Sequence, residues 1–146
     1  MNSTINKGGI MDTLNKFSGY GHWLPRLSLA AIFLYHGAPK FGQAQGMADM
    51  MGMPVIMIYM LAMMEVAGAL LILWGGFGPD WATRVAGLLF TAVMIGAIVM
   101  VHFQHGWNSI NMGMGNMGKG MEFQVLIIAI SLFFVVKGNG ANEAST

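Results

Sequence analysis

Four apolar stretches, each near twenty residues and set apart by short polar or glycine-rich links, give this chain its pattern. They run over about residues 21–41, 54–74, 81–103 and 121–136. At about 1.5 Å per residue each approaches the roughly 30 Å of a bilayer's hydrocarbon layer, the last being the shortest. Pro25 suits a first helical turn. Gly75-Gly76-Phe77-Gly78-Pro79-Asp80 reads as a tight turn. The links at 42–53 and 104–120 are longer, rich in Gly and Met, and read as loops. Residues 1–20 form a polar N-terminal tail without the design of a signal peptide, with a short interfacial turn expected around Leu14 and Phe17. Residues 139–146 form a C-terminal tail. The expected fold is all-α, an integral membrane four-helix bundle spanning residues 21–138.

Composition sharpens this. Only 9% of the 146 residues are charged and 55% are hydrophobic, whereas a soluble domain carries about a quarter charged residues. A normal water-facing surface is excluded, and the lipid bilayer becomes the first expected partner. A net charge of +1 offers no basic surplus for nucleic acid. With no cysteine, thiol nucleophiles, CxxC pairs and Cys-held clusters are excluded. If both termini share one side, that side holds Lys7, Lys16, Arg26, Arg84 and Lys137, against Lys40 and Lys119 on the other. The asymmetry predicts a multi-pass membrane protein with both termini cytoplasmic.

Ionisable groups within spans mark function by default. Glu65 sits about eleven residues into the second stretch, so it must be protonated, paired with a cation or facing a wet cavity. His36 and Lys40, four apart, share a helix face next to Pro39, which bends or ends the helix. Lys40 reads either as a snorkelling anchor or as a charge in the site. In the third stretch Arg84, Gly87, Thr91, Ile95, Ile98 and His102 fall on one helical face, expected to look into the bundle; Arg84 is read as an interface anchor. Glu122 and Gln124 open the fourth stretch about 200° apart, and Glu122 also suits the helix dipole. The depths of His36, His102 and Glu65 differ too much for one ion, and their spacing matches no metal motif, so no metal ligands are assigned among them.

Methionine crowds two regions: Met47, Met50, Met51, Met53, Met57, Met60, Met63 and Met64, then Met112, Met114, Met117 and Met121. Thioethers are soft ligands for Cu(I), but methionine is equally a flexible packing residue, so copper stands as the lesser alternative.

The same residues resemble the DoxX family of small four-span membrane proteins. The matching pieces are Arg26-Leu27, Tyr35-His36-Gly37-Ala38-Pro39-Lys40-Phe41, Gly52-Met53-Pro54, Glu65-Val66-Ala67-Gly68-Ala69-Leu70-Leu71, Gly96-Ala97-Ile98-Val99-Met100-Val101-His102 and Glu122-Phe123-Gln124. The likeness covers about residues 24–138. It implies a four-helix bundle in the cytoplasmic membrane and a link to redox systems, the namesake being a subunit of a thiosulfate:quinone oxidoreductase. The methionine load and the 111–120 loop depart from the family pattern.

The leading expectation is a membrane subunit of a quinone-linked oxidoreductase system, with a pocket for an amphipathic, quinone-type ligand in the outer half of the bundle. Glu65 and His102 would handle protons, and His36, Lys40, Glu122 and Gln124 would bind the ligand. No haem, flavin or dinucleotide motif is present, so electrons would come from another membrane or redox subunit or from a bound cofactor that the sequence does not identify. The rival readings are a non-catalytic accessory subunit of a larger membrane complex and a copper-handling protein.

Overall fold

The computed structural model describes residues 9–110 and 118–142. Met112, Met114 and Met117 therefore lie outside the described residues. The described chain is helical and strand-free: α1 (Ile10–Phe17), α2 (Trp23–Gly37), α3 (Lys40–Met51), α4 (Val55–Phe77), α5 (Asp80–Ala97) and α6 (Glu122–Lys137). A 3₁₀ turn, Gly138–Asn142, follows α6. Val55–Phe77, Asp80–His105 and Glu122–Asn142 are long and apolar enough to cross a membrane. The architecture is an all-α membrane helical bundle in which α2 packs on α4, α4 on α5, and α5 on α6.

The first apolar stretch breaks at Pro39, where the sequence placed a bend or an end, so its run to residue 41 is not one helix: α2 stops at Gly37 after 15 residues, about 22 Å. Pro39 has no N–H to give and its ring crowds the preceding turn, so the chain bends there and restarts at Lys40. The link at 42–53 is also not a loop, since α3 occupies it through Met51. Gly42 and Gly46 each disfavour a helix by about 1 kcal/mol, but burial of Ala44 and Ala48 with Ile58 of α4 outweighs this local preference. Gly52, at φ 64°, ends α3 in the left-handed conformation that glycine adopts without strain.

Lipid tails are as apolar as leucine, so packing rather than exclusion from water holds such helices together. Small residues at the crossings make that packing close. A methyl group on Gly68 would fall 2.6 Å from the Phe90 ring, which stacks on Phe33 with centroids 3.9 Å apart. On Gly87 it would fall 2.6 Å from the Ser131 carbonyl of α6. The inward face of α5 runs through Ala82, Thr83, Ala86, Gly87, Phe90 and Val93, so of the expected stripe Gly87 is buried while Ile95, 50% exposed, turns outward. His102 still turns inward because Ile98–His102 winds as a wider π-type turn, which resets the register of the residues beyond it.

Opposite the Lys40 end, the bundle is tied by Arg26, which is fully buried. All five guanidinium N–H groups are used: Nε donates to His22 Nδ1, Nη1 to the Ile72 carbonyl and Thr83 Oγ1, and Nη2 to Asn139 and Asn142 Oδ1. Its carbon lies 4.7 Å from the centre of the Phe134 ring. Read from sequence as a basic flank, Arg26 instead fastens α2, α4, α5 and the C-terminal turn together. Arg84, read as an anchor, pairs with Asp80 and donates to the carbonyls of Val135 and Val136 at the end of α6.

Candidate functional site

The break at Pro39 sets the site. It brings Lys40 back over α4, where Nζ donates to Glu65 Oε2 at 2.6 Å and to the His36 carbonyl at 2.6 Å. The side chains of Lys40 and Glu65 are only 11% and 5% exposed. Of the three states open to Glu65 in the sequence, the structure shows pairing with a cation, and Lys40 turns inward instead of snorkelling. Gly37 permits this approach, because any side chain there would occupy the space of Glu65.

On the facing wall, the π-type turn of α5 presents His102. One ring nitrogen, Nδ1, donates to the Lys119 carbonyl at 2.7 Å, and Nε2 lies 2.9 Å from the side-chain amide of Gln124. With its oxygen toward the imidazole, the Gln124 amide places its nitrogen 3.3 Å from the carbonyls of Gly120 and Met121. The loop behind closes on itself: Met121 N–H donates to the Gly106 carbonyl and Ser109 Oγ to the Gly120 carbonyl.

Between these walls lies a cavity of about 440 Å³. His36, Lys40, Glu65, His102 and Gln124 all line it, and its remaining wall is apolar, including Phe33, Leu61, Met94, Phe123 and Ile127. Glu122 does not line it; its Oε1 accepts the Ser109 N–H at 2.9 Å and so braces the loop. Among the described residues no group of three or more His, Cys, Asp or Glu is arranged to hold a metal ion. The arrangement can hold a molecule with a polar head and a flat or chain-like apolar body, with a cation–carboxylate pair on one side of the head and an imidazole–amide pair on the other.

The sequence singled out the ionisable members of this site, since charges are conspicuous in apolar stretches. It missed Gly37, whose contribution is the absence of a side chain, and it missed the π-type turn. Pro39 in the Gly-Ala-Pro after His36 was the signal for the bend beside the site.

Residues 21–103 match the DoxX family. Over 129 residues the chain is 31% identical to the Bacillus subtilis (strain 168) protein named "Putative oxidoreductase CatD", covering 86% of this chain and 85% of that protein. No solved structure shows significant similarity to it. The family match ends near the π-type turn, and α6 beyond it supplies Gln124, Phe123 and Ile127 to the cavity.

Proposed function

The chain belongs to the DoxX family, and from that premise we propose that it is the membrane subunit of a redox system, binding a quinone-type or similar amphipathic ligand in the cavity between α2, α4, α5 and α6. The family and the oxidoreductase named among its relatives support a redox association. The observation that carries the ligand reading is a cavity of about 440 Å³ with polar groups gathered on two facing walls and an apolar remainder. A quinone brings two-electron chemistry coupled to protons; its electrons come from a partner subunit.

The residues present fit such a head group. Lys40 has three N–H groups, of which Glu65 and the His36 carbonyl take two, leaving one for a ligand oxygen. Glu65 keeps Oε1 for a ligand hydroxyl, and His36 adds polarity on the same wall. His102 has its Nδ1–H committed to Lys119, so proton exchange falls to Nε2. Gln124 suits both states of that nitrogen, donating its NH₂ to the neutral ring or accepting from the charged one after turning over. Glu65 and His102 are thus the proton-handling pair, with His36, Lys40 and Gln124 as ligand-binding groups and Glu122 positioning the loop.

We place α2 as the fourth crossing and both termini on the cytoplasmic side. Setting aside Arg26 and Lys40, both engaged inside the bundle, Lys7, Lys16, Arg84 and Lys137 still face Lys119 alone. The cavity then opens in the outer half.

The test is extraction of lipophilic cofactor from the purified protein, followed by quinone-linked turnover with its co-purifying subunits. Wild-type protein should carry a ligand that His102→Gln and Glu65→Gln lose or fail to turn over. Full ligand content and turnover in both variants would overturn the proton roles.

A further inference from the structure

A second cavity, of about 220 Å³, adjoins the first, and Met51, Leu61, Val93 and Met100 line both. Its wall is chiefly thioether. Met51 and Met53 come from the end of α3 and the link after it, Met57, Met60 and Met64 from α4, and Met100 from the π-type turn. The spacing 57, 60, 64 places three sulfurs along one face of α4. Three elements distant in sequence therefore direct methionines at one space. If the wall needed only to be apolar, leucine or isoleucine would serve, as they do deeper in α4 at Leu70, Leu71, Ile72 and Leu73.

The chemistry of that wall is specific. Apart from sulfur its side chains offer no lone pairs, for its other members are Leu61, Ala92 and Val93. Neutral thioethers bind hard or divalent ions poorly and soft Cu(I) well. Methionine's rotatable bonds let several sulfurs close on one ion without moving the backbone. No carboxylate lines this cavity, and Glu65, next to Met64 in the chain, is already paired with Lys40, which leaves the thioethers as the ligands. Met51 and Met53 flank the turn at Gly52, just before α4, so the cavity begins at one end of that helix.

We propose that this second cavity is a soft-cation site that binds one Cu(I) ion through the thioethers of Met53, Met57, Met60, Met64 and Met100. The proposal stands apart from the ligand reading of the first cavity.

The test titrates purified full-length protein in detergent with Cu(I) under ascorbate, against a chromogenic Cu(I) chelator, with Ag(I) as a redox-silent check. Wild-type protein should take up near-equal Cu(I) and Ag(I). The combined Met57→Leu, Met60→Leu, Met64→Leu and Met100→Leu variant should lose affinity by about tenfold or more with its helical spectrum intact. If that variant misfolds, Met60→Leu and Met100→Leu singly decide, each weakening uptake. Absence of uptake by wild type, or uptake equal in wild type and leucine variants, overturns the site. So does loss on changing Met112, Met114 and Met117 to leucine in place of the cavity methionines.

Discussion

Gly37 of α2 lies against Glu65 of α4 so closely that a methyl group at position 37 would sit 2.8 Å from Glu65 Cβ and 3.2 Å from its Oε2. The carboxylate that anchors the site is thus fixed by the one residue that leaves it room. Gly37→Ala should lower stability by about 1–3 kcal/mol through overpacking, seen as a fall in Tm in detergent. Gly46→Ala, in α3 with open space around it, should instead raise stability by about 0.5–1 kcal/mol. Equal behaviour of the two would show that the α2–α4 approach is not tight.

The Lys40–Glu65 pair is nearly buried, so removing one partner strands the other. Lys40→Met and Glu65→Gln should each cost on the order of 3 kcal/mol, and the double variant should regain much of that loss. Ligand content should stay low in all three. A double variant that recovers both Tm and ligand would reduce the pair to a structural role.

Ala97 lines the larger cavity without belonging to its polar walls. Ala97→Phe should fill the space and abolish retained ligand while leaving helical content unchanged. Retention of ligand at wild-type level would move the binding site elsewhere.

Arg26 donates five hydrogen bonds that no other side chain can reproduce from its position. Arg26→Lys keeps the charge but offers three donors without the planar fork, and should release the 138–142 turn. Faster cleavage by trypsin after the exposed Lys137, followed by mass spectrometry, checks this. Cleavage at the wild-type rate would mean the turn is held by other contacts.

Topology is open to a labelling test. A cysteine replacing Lys119 should react with an impermeant thiol reagent in intact cells, and one replacing Thr13 should react only after permeabilisation. The reverse pattern inverts the protein, and labelling of both in intact cells leaves an odd number of crossings.

Composition and segment length were enough to settle the solvent and the class. So few charges among so many apolar residues can be satisfied only by lipid around self-bonded helices, and that follows from composition and segment length without any contact being known. The sequence also marked Glu65, His36, Lys40 and His102, because an ionisable group in an apolar stretch is conspicuous wherever the chain later folds. What it left undetermined depended on partners far along the chain. Arg26 is a flank or a clasp according to residues up to 116 positions away. The 42–53 segment is a loop by its glycines and a helix by its packing on Ile58. The face His102 presents turned on one π-type turn that a straight-helix projection cannot contain. Local pattern records what each residue costs in a bilayer; only the tertiary contacts decide which cost is met by which neighbour.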